Sequence, residues 1–228
     1  MKKRSYEKEF IDLGSDFYTK EEYDDCLKQL GRVGKLLMGN RATLTSFDQL
    51  KESPKSILDV GCGGGSFTRL LALKYSTATV TGIDFSKDAI CFANNQLAKK
   101  PIRNLKFEVP STLELEKPEK SVDVITTTLV CHHMNDEELI DFLKRAKKIA
   151  IKSIIINDLH RHPLAYLSYS IIAPFAFRNR LITNDGLLSI RRSFIKKEWV
   201  SYLEKAGIEH YTIKWKFPFR WIITIDLF

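Results

Sequence analysis

The chain has 228 residues, room for one hydrophobic core and too little for two independent domains. With 44% hydrophobic and 28% charged residues, it is neither disordered nor fibrous. The formal charge of +8 is concentrated late, where residues 151–228 hold 12 basic against 6 acidic side chains, and this favours an anionic partner: a phospholipid surface, an acidic substrate or nucleic acid.

The N-terminal Met1-Lys2-Lys3-Arg4 is followed by polar residues rather than the apolar run an export signal needs. Residues 1–50 read as helical, with Phe10, Leu13 and Phe17, then Leu27, Leu30 and Val33 at three- and four-residue steps, although Gly31, Gly34 and Gly39 weaken that pattern. This stretch is expected to form a helical lid over a domain spanning 51–228. From Ser56 the pattern becomes strand (56–60), glycine cluster, helix (67–75), strand (79–84), helix (87–99), strand (105–109), strand (122–127), helix (136–149) and strand (153–159). Such alternation predicts an α/β fold with a doubly wound, mostly parallel sheet. Residues 163–177 and 196–206 follow as helices, and 208–216 with 219–225 as a closing antiparallel hairpin around Phe217-Pro218. The longest apolar stretch, 164–177, contains Pro174 and falls short of the roughly 20 residues that span a bilayer. Cys26, Cys62, Cys91 and Cys131 have neither disulfide-framework nor metal spacing, which points to a reducing cytoplasm.

The strongest local signal is Leu58-Asp59-Val60-Gly61-Cys62-Gly63-Gly64-Gly65, between a strand and a helix, where glycines let the backbone turn tightly and approach a ligand. The Gly-Lys-Ser/Thr of a phosphate loop is missing, and the sixth position of a dinucleotide fingerprint is Ser66. Asp59, two residues before the first glycine, makes the loop acidic. Asp84 ends the next strand, 23 residues after Gly61, where a carboxylate can accept ribose hydroxyls. Together these resemble the first motifs of class I S-adenosylmethionine-dependent methyltransferases, whose cofactor carries an ammonium and a sulfonium that an acidic loop favours. The resemblance covers roughly residues 55–228. It implies a Rossmann-like seven-stranded sheet ending in the hairpin, S-adenosyl-L-methionine as cofactor, and contacts from Asp59, Gly61, Cys62, Gly63, Gly65, Asp84, Phe85 and Thr127. The adenine-side Asp common in that family is replaced by Ser111, whose hydroxyl can still accept a bond.

Ligands bind such sheets at the carboxyl ends of the strands. Four of the five histidines lie there: His132 and His133 after the fourth strand, His160 and His162 after the fifth, all expected in one cleft as proton acceptors for methyl transfer. A metal site built on them is the rival explanation, and the reading assigns none. Residues 158–164 and 185–194 look like a subgroup of bacterial methyltransferases found with polyketide, phenolic-lipid and quinone pathways. That resemblance implies an apolar aromatic small molecule, methylated on a hydroxyl or ring carbon. The apolar segment within 160–195, with Leu164, Tyr166, Leu167, Tyr169, Ile171, Ile172, Phe175 and Phe177, is then expected to cap the substrate pocket. Arg178, Arg180, Arg191, Arg192, Lys196 and Lys197 form a candidate basic belt that could hold a cytoplasmic enzyme against the inner face of an anionic membrane. An RNA methyltransferase is the alternative; the fourth strand continues Thr126-Thr127-Thr128-Leu129, not the Asn/Asp-Pro-Pro-Tyr/Phe loop that grips a flipped base. A non-catalytic cofactor-binding protein is the second alternative.

Overall fold

The computed structural model describes residues 1, 3–14, 16–112 and 115–227, apart from the side chain of residue 36. Seven strands form one sheet: β1 (Ser56–Val60), β2 (Thr79–Ile83), β3 (Leu105–Glu108), β4 (Val122–Thr128), β5 (Ala150–Leu159), β6 (Tyr211–Lys216) and β7 (Arg220–Asp226). Their order is β3-β2-β1-β4-β5-β7-β6, with the first five parallel and β7 antiparallel to both β5 and β6. Strand order reverses between β1 and β4, which opens a crevice at their carboxyl ends. The doubly wound sheet with its C-terminal hairpin is thus as the sequence predicts.

Helices α1 (Lys20–Leu36), α2 (Gly39–Phe47), α3 (Ser66–Lys74), α4 (Lys87–Lys99), α5 (Asp136–Ile149), α6 (Pro163–Ala176), α7 (Arg180–Arg192) and α8 (Lys196–Lys205) surround the sheet. Ile125, Ile154, Ile156 and Ile223 meet Leu139, Leu143 and Trp199 of α5 and α8 on one face; Ile57, Val80, Val124 and Ile155 meet Phe67, Leu71 and Ile90 of α3 and α4 on the other. Strands this apolar on both sides are what a parallel sheet covered by helices requires. A smaller cluster of Tyr23, Cys26, Leu27, Phe92 and Leu181 seats α1 against α4 and α7.

One helix is as expected and one is not. Helix α1 runs unbroken through Gly31 and Gly34, started by a Thr19–Glu22 capping box, and the glycines serve close approach: a Cβ at Gly31 would sit 3.1 Å from Ser66 of α3. Residues 180–192, read as part of a basic belt, are helix α7. Asp185 of α7 accepts hydrogen bonds from the backbone N–H of Phe10 (3.0 Å) and Ile11 (3.1 Å), and Gly186 faces Tyr169 of α6 so closely that a Cβ there would lie 2.2 Å from its hydroxyl.

At the sheet centre, the fully buried Asn157 of β5 donates to the Gly39 carbonyl (3.0 Å) and the Thr43 hydroxyl (2.8 Å) and accepts from Arg220 of β7 (3.3 Å). Its loss leaves three buried groups without that partner. Asn157→Ala is expected to cost about 2–3 kcal/mol, read from a urea midpoint that falls with an unchanged slope.

Candidate active site

The glycine loop turns as its sequence dictates. Gly61, Gly63 and Gly65 have φ of 69°, 51° and 73°, the left-handed region that side chains resist. A Cβ on Gly61 would lie 2.4 Å from Val130, and one on Gly65 2.4 Å from Phe107, so at these two positions packing too excludes a side chain. Asp59 is buried beneath it and accepts from the Thr68 hydroxyl at 2.7 Å; burial pushes its carboxyl up to about 7, against the pull of that bond. Asp84 accepts from the backbone N–H of Gly63 (2.8 Å) and Ser86 (2.9 Å), which fixes its carboxylate between the loop and α4; burial raises its pKa as well. From above, α1 places Leu27 against Gly63 and Gly64, and Tyr23 donates to Ser86 at 2.9 Å.

A cleft of about 1270 Å³ opens at the carboxyl ends of β1 to β4 and is lined by Val60, Phe85, Ser111, Val130 and His133, among others. Thr127, paired with Val60 across the strands, is fully buried and its hydroxyl has no hydrogen-bond partner. Acidic groups, glycines that admit no side chain and an unpaired buried hydroxyl suit a cationic nucleoside such as S-adenosylmethionine. A second cleft, about 1260 Å³, lies at the opposite end around Lys117, Lys147 and His210, away from every strand's carboxyl end but that of the antiparallel β7.

The four histidines fall into two pairs rather than one cleft. Leu129, in the left-handed region at φ 59°, turns the chain after β4 into a single 3-10 turn, Cys131–His133. His132 is buried, with Nδ1 2.7 Å from an Asp158 oxygen and its backbone N–H donating to the other. His133 lines the cleft with Nδ1 2.8 Å from Asp12. By contrast, His160 packs on Trp221 (4.7 Å between centroids), and the Nδ1 of His162 accepts from the Leu164 N–H as the cap of α6. Neither lines the cleft. Burial and the charges of His162 and Arg161 lower the pKa of His160.

What sequence reasoning missed is the contribution of residues 4–12. Glu9 is buried between the paired imidazoles, with Oε1 3.7 Å from His132 Nε2 and Oε2 3.9 Å from His133 Nε2; Oε2 also accepts from Ser189 at 2.9 Å, and Oε1 has no hydrogen bond. Burial pushes Glu9 up to about 7. Burial pushes Asp12 the same way, but the hydrogen bond and charge of His133 and the charge of Arg192 outweigh it and hold Asp12 down at about 2. Glu9, His132 and His133 offer three ligand atoms within 4.8 Å of one another and so could hold a metal ion. A guanidinium already stands beside them, with Arg192 Nε 3.9 Å from Glu9 Oε1.

Comparison with known proteins agrees with this geometry. A family model described as a methyltransferase domain matches residues 51–162. A ubiquinone biosynthesis O-methyltransferase of Coxiella burnetii is 27% identical over 228 aligned positions, covering 95% of this chain and 90% of that enzyme. A pavine N-methyltransferase of Thalictrum flavum subsp. glaucum is 28% identical over 78% of this chain, which spans half of that protein's length. Among solved structures, an S-adenosylmethionine-dependent methyltransferase of Aquifex aeolicus superposes with a TM-score of 0.67 at 20% identity, covering 90% of this chain and 98% of its own. Human N-acetylserotonin methyltransferase in complex with S-adenosylmethionine gives 0.69 at 16% identity, covering 98% and 62%. Sheet order, an acid ahead of the glycine loop and a carboxylate just past β2 are those of a cofactor-dependent group-transfer enzyme. The chain is a class I S-adenosylmethionine-dependent methyltransferase.

Gly61→Ala must push Cβ into Val130 at an unfavourable φ. Its affinity for S-adenosylhomocysteine by calorimetry is expected to fall at least tenfold, about 1.4 kcal/mol. A pH dependence follows from Asp59 and Glu9. Their carboxyls ionise near 4 in the unfolded chain and at about 7 in the folded one. Over that interval the unfolded state holds fewer protons, so their effect is to lower stability as pH rises toward 7. Asp59→Asn is expected to make that fall shallower in thermal melts of the ligand-free protein between pH 4.5 and 7.5.

Proposed function

We propose that the enzyme methylates a hydroxyl of an apolar aromatic small molecule, phenolic or quinone-like, in the cytoplasm at the inner face of an anionic membrane. The observation that carries the reading is the His133–Asp12 pair on the wall of the cofactor cleft. Asp12, held near 2, is ionised at neutral pH and can only accept, so the Nδ1 of His133 is the donor and its Nε2 carries the lone pair. That nitrogen is the base for the acceptor hydroxyl. Glu9, 3.9 Å from it and pushed by burial up to about 7, stabilises in its ionised form the imidazolium that forms. When bound, S-adenosylmethionine supplies an electrophilic methyl group on a sulfonium. The chain's own work is to orient the hydroxyl, take its proton and keep water out with α1 and residues 4–12. The apolar acceptor is supported by the cleft's apolar lining, Val60, Ile83, Phe85, Val109 and Phe142 among it, and by small-molecule methyltransferases among the relatives.

Incubation with methyl-labelled cofactor and a cell extract tests the substrate class: label is expected in the organic phase, and label in RNA overturns the reading. His133→Ala and Asp12→Asn are expected to lower kcat by about 10²–10⁴-fold with affinity for S-adenosylhomocysteine unchanged. Glu9→Gln removes a negative charge that favours the imidazolium, so its acid limb of kcat should move to lower pH as kcat falls; an unmoved limb removes Glu9 from the mechanism.

A further inference from the structure

The apolar segment expected to wall the substrate pocket faces outward instead. On α6 only Ala165 and Ala173 are buried, while Leu164, Leu167, Ile171 and Phe175 run along one side of the helix at 59%, 55%, 58% and 90% exposure. None of the four lines the cofactor cleft. The N-terminus of α6 adjoins the β6–β7 turn, where His162 stacks on Phe219 (5.2 Å) and Phe219 meets Trp215 edge-on (6.2 Å). Trp215 and Phe217 continue the surface at 47% and 70% exposure. Large apolar side chains contiguous over a surface this wide mark an interaction site.

We infer that this face, α6 with the tip of the β6–β7 hairpin, docks the enzyme on an anionic phospholipid bilayer. Charge selects that occupant. No Asp or Glu occurs from Leu159 to Asn184, nor from Tyr211 to Ile225. The cations nearest the apolar surface are Arg178, exposed just past α6, and Lys214 and Lys216 on β6, which alternate with Trp215 and so leave the opposite face of that edge strand, where the exposed Lys214 donates to Gln49 (3.2 Å). The helix itself, Pro163–Ala176, carries no charge and is about 21 Å long, so it suits lying in the headgroup plane. Among the described residues no helix is long and apolar enough to cross a membrane. Of the basic belt read from the sequence, Arg178 is part of this surface, while Arg180 is paired with Glu22, Arg191 with Glu7, and Arg192 is buried. The inference names the membrane-facing surface for the proposed function, but its test requires no turnover.

Sedimentation with vesicles of phosphatidylcholine containing phosphatidylglycerol is expected to carry down the protein at least tenfold more than vesicles of phosphatidylcholine alone, with the difference shrinking in high salt. Leu167→Glu/Phe175→Glu should lose vesicle binding at least tenfold while S-adenosylhomocysteine affinity and thermal midpoint stay unchanged. Lys214→Glu/Lys216→Glu should lose the preference for phosphatidylglycerol. The inference is overturned by absence of vesicle binding, by equal binding to both vesicle types, or by a dimer in sedimentation velocity that Leu167→Glu/Phe175→Glu disperses, which makes the face a contact between copies. It is also overturned if that variant loses turnover of a water-soluble phenol, which makes the face a pocket wall. Label reaching RNA in the extract would sink the proposed function and leave the vesicle result standing.

Discussion

The guanidinium of Arg192 is the constraint on which the active site depends. Buried at 5% exposure, it donates to the consecutive carbonyls of His132 (3.0 Å) and His133 (2.7 Å), to the Glu7 carbonyl (2.8 Å) and to Asp12 (2.7 Å). A planar fork with several fixed donors can tie such groups together where a lysine could not. Three distant stretches meet at it: the N-terminal segment, the turn after β4, and the end of α7. Arg4 reinforces the same junction, donating to the carbonyls of Arg192, His132 and Met134 and to Asp136. The sheet therefore decides only where β4 ends. Where His133 points is decided by side chains from the two sequence extremes of the lid and cap.

Two electrostatic neighbourhoods lie at the carboxyl ends of the strands. At the glycine loop, Asp59 and Asp84 are buried carboxyls whose pKa values burial has raised, with backbone N–H groups and a threonine hydroxyl as hydrogen-bond partners. Such a site favours an incoming positive charge, which in turn draws protons off the carboxyls. At the turn after β4, carboxylates alternate with imidazoles and guanidinium groups: Asp158, His132, Glu9, His133, Asp12, Arg192. Charge there is nearly compensated, and a proton moved onto His133 finds an acid on either side. The first neighbourhood is built to hold a cation, the second to accommodate a proton.

The division between what the sequence reveals and what it hides follows the range of the forces involved. The strands, the glycine loop and Asp84 are legible because their causes are local: β-branched runs, positive φ, an N-cap at Ser86 that accepts from Ala89. Glu9 and Asp12 look like ordinary surface acids because their partners lie far along the chain, Asp12 being 121 residues from His133. The pairing of two members of the basic belt is hidden for the same reason, since Glu22 is 158 residues from Arg180 and Glu7 is 184 from Arg191. Pairs such as His132-His133 and His160/His162 look alike in sequence, yet one is clamped by acids and the other caps a helix and packs on Trp221. The exposed side of α6 is hidden too, because a helix with apolar residues on most sides shows its inner face only once Tyr169 and Gly186 fix it to α7.

The placement of α6 gives the outward stripe a use within the reaction. It leaves the carboxyl end of β5, and the β6–β7 turn adjoins the same end because β7 pairs antiparallel with β5 from Leu159 and Arg220. The cofactor cleft opens at the carboxyl ends of the neighbouring strands, so one end of the sheet carries both the chemistry and the apolar surface. For a lipophilic acceptor, each Å² exposed to water costs roughly 25 cal/mol. The inferred docking of α6 among the headgroups would turn the cleft, at that same end of the sheet, toward the bilayer that holds such an acceptor.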